Sequence, residues 1–164
     1  MTPKFRRILI PLDGSARGEE VIATVMPIVR SQPKEPSELV LLQVLDGPDI
    51  PASVRPYLQS VCSALRGQGI EAELRIRIGQ PAEQILSYAD MGAIDLVARS
   101  THGRTGLDRV LMGSVTEEVL RHAEVPLLIC RPGITPKPWD RIVVALDGSD
   151  RSEQVLTDAV TVAR

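Results

Sequence analysis

Arg7-Ile8-Leu9-Ile10-Pro11-Leu12-Asp13-Gly14-Ser15 is the stretch from which the fold can be read. The apolar run Ile8 to Leu12 is too short for a helix and fits a buried strand. Asp13-Gly14 then turns the chain, and Ser15 caps a helix whose Val21, Ile22, Val25, Met26 and Val29 share one face. Pro27 is expected to kink that helix or loosen its last turns. The string recurs at an offset of 134 as Arg141-Ile142-Val143-Val144-Ala145-Leu146-Asp147-Gly148-Ser149, and Arg17, Glu19 and Val21 recur as Arg151, Glu153 and Val155. The match therefore continues into the helix. Three segments are expected: a domain over 1–131, a Pro-rich linker over 132–139, and a partial second repeat, strand one and helix one, over 140–164. The last has apolar faces but too few partners to close a core alone.

Working outward, strands and helices alternate. Leu39 to Leu45 reads as a second strand, and Val54, Tyr57, Leu58, Val61, Cys62 and Leu65 as a helix ended by Gly67 or Gly69. Ile70 to Ile78 alternates apolar with charged residues, the mark of an edge strand with one wet face. Pro81 to Met91 is a third helix, Ile94 to Ala98 a fourth strand, Ser114 to Ala123 a fourth helix and Val125 to Cys130 a fifth strand. Such alternation predicts an α/β fold: a doubly wound, five-stranded parallel sheet of order 3-2-1-4-5 with helices on both faces. That order reverses between strands one and four and leaves a crevice at their carboxyl ends.

Composition narrows the function classes. In 164 residues, 19 Lys and Arg against 21 Asp and Glu give a net charge of −2, so no basic field recruits a nucleic acid. Four scattered aromatics, Phe5, Tyr57, Tyr88 and Trp139, make no base-stacking platform. Cys62 and Cys130 lack metal or disulfide spacing, and the opening apolar run is too short for a signal or membrane segment. A cytoplasmic protein without nucleic-acid or membrane partners is expected.

The chemistry concentrates in the connection Ser100 to Ser114, long for a strand-to-helix loop. Gly103, Gly106 and Gly113 allow backbone N–H groups to face an anion, and the helix beginning at Ser114 adds its positive end. No Lys follows the glycines, so this is not a Walker loop. Arg104 either reaches a terminal phosphate or is solvated. Ser114 with Glu117 also reads as a capping box. Asp13 is a ligand-facing or a turn carboxylate. His102 reads as a loop-bracing residue and His122 as a residue at a helix C-terminus; without Gly-x-Ser-x-Gly a hydrolytic triad has no support.

The loop resembles the ATP-binding branch of the universal stress protein family, whose Gly-x2-Gly-x9-Gly-Ser/Thr pattern maps as Ser100-x2-Gly103-x9-Gly113-Ser114, with Ser at the first position. The resemblance covers residues 4 to 132 and restarts at Arg141, as in tandem members. It implies ATP and Mg2+ as ligands. Gly103, Gly113, Ser114 and Val115 would contact the phosphates, Asp13 the adenosine or metal side and Val44 adenine, with Ser100 at the motif's first position also counted in the nucleotide site. It also implies a stress-response module that forms a homodimer through strand five; with no carboxylate or His evidently placed to orient a water at the γ-phosphate, at most weak ATPase activity is expected. The alternatives are a nucleotide-free dimerising scaffold and an adenylate-transferring α/β enzyme. The latter would need Ser-Gly-Gly-x-Asp or His-x-Gly-His, and neither string occurs.

Overall fold

The computed structural model describes residues 5–31, 37–101, 113–131, 133 and 141–163. Its elements are β1 (Arg7–Leu12), α1 (Ala16–Arg30), β2 (Glu38–Leu45), α2 (Val54–Arg66), β3 (Ala72–Ile78), α3 (Pro81–Met91), β4 (Leu96–Ser100), α4 (Ser114–His122), β5 (Leu127–Cys130) and α5 (Asp150–Val162). The strands form one parallel sheet of order β3-β2-β1-β4-β5, as the alternation predicts.

Period-two side-chain alternation distributes β1 between two cores. Ile8, Ile10 and Leu12 join Val21 and Val25 of α1 and Leu58 and Cys62 of α2 on one face. Leu9 joins Val40, Leu42 and Val97 under Ile85 and Ala89 of α3 and Val119 of α4 on the other. The central strand is thus apolar on both sides, which is why it reads as an unbroken hydrophobic run. α1 continues past Pro27, and the Ser31 amide closes its last turn on the Pro27 carbonyl at 3.0 Å. Gly67 caps α2, and Gly69, with φ +76°, redirects the chain toward β3.

Three boundaries differ from expectation. β3 starts at Ala72 rather than Ile70. β4 spans Leu96–Ser100 rather than 94–98, because the Asp95 carboxylate accepts the amides of Arg6 and Arg7 at 2.8 and 2.9 Å and serves as a strap ahead of the strand. β5 starts at Leu127 rather than Val125: Pro126 has no N–H for the ladder, although its carbonyl accepts from the Val97 amide at 3.0 Å. At the amino ends of the strands, Arg7 donates to Glu38 (2.8 Å), to Glu73 (2.7 Å) and to the Gly92 carbonyl. Burial opposes the Arg7 charge, but these carboxylates outweigh it and raise its pKa. This clamp ties β1, β2 and β3 together at the end opposite the crevice.

The second repeat forms in part. α5 is present, and its Ser149 cap accepts from the Ser152 amide at 3.2 Å. The Asp-Gly-Ser turn before it duplicates the first copy: Ser149 donates its hydroxyl to Asp147 at 2.7 Å as Ser15 does to Asp13, and Gly148 and Gly14 take φ of +82° and +80°. The Ser149 hydroxyl and amide hold the Asp147 carboxyl at a pKa of about 2. The strand expected over Ile142 to Leu146 has no ladder partner among the described residues. Ile142, Val143 and Leu146 are 38%, 85% and 50% exposed where Ile8, Leu9 and Leu12 are 0%, 0% and 5%. A cap and a helix are local structures, whereas a strand needs a neighbour.

Candidate functional site

A crevice of about 190 Å³ opens at the carboxyl ends of β1 and β4, on the α3 and α4 side of the sheet. This is the point where the strand order reverses. Leu42, Val44, Pro81 and Ile85 make one apolar wall, with Val44 half-buried near the end of β2. Pro11, Leu12, Asp13, Gly18, Arg99, Ser100 and Val115 complete the lining.

Asp13 follows directly on β1. One of its oxygens accepts the Ser15 amide at 3.0 Å and the Ser15 hydroxyl at 2.7 Å, while that hydroxyl accepts from the Gly18 amide at 3.0 Å. Asp13 is therefore a turn carboxylate and a crevice residue together. A Cβ on Gly18 would sit 2.6 Å from the Asp13 carboxylate oxygen, so glycine is what lets α1 approach this closely.

On the opposite side, Gly113 has φ −63° and ψ 150° and occupies the N-cap of α4, with its carbonyl accepting the Glu117 amide at 3.0 Å. Ser114 is exposed at the first helical position and does not cap. Glu117 pairs instead with Arg121 at 2.7 Å, so the capping-box reading does not hold. The extended dihedrals fall one residue earlier than the hydroxyl, and a backbone without a side chain takes the cap position. A Cβ built on Gly113 meets nothing within 4 Å among the described residues. Val115, in the first turn of α4, borders the crevice, so the helix start with its unbonded amides lies at the rim.

Ser100 is 3% exposed at the end of β4, opposite Cys130 in the ladder. Burial pushes the Cys130 thiol up, and the Thr24 and Ser100 hydroxyls beside it oppose this in part. Ser100 is the position at which the sequence departs from the glycine of the motif it resembles, and its hydroxyl is buried at the sheet end. His102, Gly103, Arg104 and Gly106 lie outside the described residues. His122 closes α4, its Nδ1 2.9 Å from the Glu118 carbonyl.

Sequence reasoning missed Arg99. Its signal is a charge inside the otherwise apolar Leu96-Val97-Ala98, one residue before the crevice rim. Burial lowers its pKa, and the Asp13 carboxylate opposes that only partly. Among the described residues no group of three or more His, Cys, Asp or Glu could hold a metal ion, and no helix is long and apolar enough to cross a membrane.

Residues 4–131 match the model of the universal stress protein family. Universal stress protein MJ0531 of Methanocaldococcus jannaschii is 28% identical over 140 residues, covering 77% of this chain and 82% of its own. A universal stress protein solved in complex with cAMP superposes with a TM-score of 0.60 at 20% identity, over 77% of this chain and 97% of its own. An Arabidopsis thaliana universal stress protein family member with AMP bound superposes with a TM-score of 0.57 at 17% identity, over 77% and 92%. With the family's strand order and with crevice and loop sequence at the expected switch point, the chain belongs to the universal stress protein family.

Proposed function

We propose that this chain is an ATP-binding regulatory module of the stress response, in which Mg-ATP occupies the crevice between β1 and β4 and biases the choice of protein partner. The observation that carries this reading is the pairing of an apolar wall at Val44 with the open N-terminus of α4 at Gly113, a slot for a flat base facing a cradle for phosphates. The AMP and cAMP held by two proteins of the same fold are in line with it. Val44 meets the base, and Ser100, Gly113, Ser114 and Val115 lie along the phosphates together with Gly103, Arg104 and Gly106.

Mg2+ is commonly held by one or two carboxylates plus phosphate oxygens. Asp13 is the carboxylate on the crevice lining and suits that donor set. Asp13 would hold the ion, which would neutralise phosphate charge, and the Ser15 amide and hydroxyl fix the Asp13 carboxylate in place. Binding requires no general base, and the module acts in the cytoplasm. Intact-mass and nucleotide analysis of the purified protein, followed by calorimetry, should show one adenine nucleotide per chain. Absence of both co-purified nucleotide and binding heat would leave the scaffold reading in its place.

The module pairs through β5, whose Leu127, Leu128 and Ile129 are only half-buried at the sheet edge. Light scattering at micromolar concentration should give the mass of a dimer. A strict monomer would remove this interface.

A further inference from the structure

We propose that Arg99 selects ligands by phosphate charge in this crevice, an assignment that rests on the nucleotide reading above. Three observations lead there. The first is placement: Arg99 shares the β4 face of Val97, which belongs to the core under α3 and α4, and reaches the crevice lining beside Asp13 and Val115. The second is cost. Arg99 is half-buried, and a guanidinium partly withdrawn from water recovers its lost solvation from a counter-charge. Asp13 offsets the burial of Arg99 only partly, and one Asp13 oxygen is already committed to the Ser15 amide and hydroxyl. The third is the shared sign of potential. The first turn of α4 brings its positive end to the same rim, so helix and guanidinium favour an anion together.

A ligand phosphoryl group suits all three. Its oxygens match the guanidinium fork, and its charge completes the compensation that Asp13 leaves unfinished. The uncharged parts of a nucleotide gain nothing from Arg99. The crevice should therefore rank ligands by phosphate charge, through a fixed protein cation that needs no divalent ion to act.

Calorimetric titration in EDTA at low salt tests this with tripolyphosphate, ATP and adenosine, on wild type and on the neutral variants Arg99→Met and Arg99→Gln. Both variants remove a desolvated charge and are expected to keep the wild-type melting temperature; two are used so that one failing to fold leaves the other. Tripolyphosphate and ATP should weaken about 10- to 100-fold in the variants, as for the loss of a charged hydrogen bond, while adenosine stays within about twofold. Tripolyphosphate binding that is undetectable in wild type, or unchanged in the variants, overturns the assignment. So does a loss for adenosine as large as that for ATP, which would make Arg99 a base or ribose contact. If tripolyphosphate binds in an Arg99-dependent way but ATP gains nothing over it and adenosine does not bind, Arg99 stands and the nucleotide reading fails.

Discussion

Ile8→Ala is expected to lower the unfolding free energy by about 2–5 kcal/mol, whereas Ile142→Ala, at the matching position of the repeat, is expected to change it by less than about 0.5 kcal/mol. The two isoleucines lie in near-identical strings, so local propensity cannot separate them. Ile8 is fully buried, pairs across β1 to β2 and β4, and packs among residues of α1 and α2. Truncating it removes buried methylenes and leaves a cavity between elements that relax only in part. Ile142 is 38% exposed and has no ladder partner among the described residues. Urea unfolding of the two variants beside wild type measures both values. Equal losses would mean that residues 141–146 acquire a packed partner in solution and that the second copy is folded like the first.

Gly113→Val is expected to weaken ATP binding at least about 100-fold, close to 3 kcal/mol, with the melting temperature nearly unchanged. The backbone at Gly113 has dihedrals open to any L-residue, and a Cβ there meets nothing within 4 Å among the described residues, so the fold should bear only the modest cost of a poorer N-cap. The same open space is where the phosphates would come against the first amides of α4. Branched methyls at that point hold the anion away from its donors, and helix-end attraction falls off within a turn. Calorimetry decides the matter. Wild-type ATP affinity in a folded Gly113→Val protein would remove α4 from the site, and a general loss of structure would show Gly113 to be needed by the fold itself.

Most of the architecture was legible because it rests on side-chain periodicity. The unbroken run Ile8 to Leu12 and the alternation of Ala72 to Ile78 identify a central and an edge strand, and strand order follows from burial. What escaped was decided by tertiary geometry. The ends of β4 and β5 depend on where Asp95 and Pro126 find amides and carbonyls across the sheet, which no local window contains. The N-cap of α4 depends on backbone dihedrals, so the hydroxyl of Ser114 pointed to the wrong residue. The site divided in the same manner. Asp13 was legible as the residue that follows the first strand and Val44 only through the family resemblance, but Arg99 becomes meaningful only when β4 is placed beside β1 and its charge meets Asp13.

The Asp-Gly-Ser turn also bears on the order of events during folding. Asp13 reaches two residues along the chain and Ser15 reaches three. The twin turn at Asp147 adopts the same hydrogen bonds with no strand neighbour behind it, so the sheet is not required to make one. Short closures of this kind form in well under a microsecond, whereas joining distant segments pays a growing loop entropy. Arg7 meets Glu38 across 31 residues and the Asp95 strap across 88. Loop entropy therefore favours closing the Asp13 turn ahead of the pairing that brings Arg99 on β4 beside it. A nucleotide that needs both sides finds no complete site until β4 arrives, and its stabilisation should appear as slower unfolding rather than faster folding.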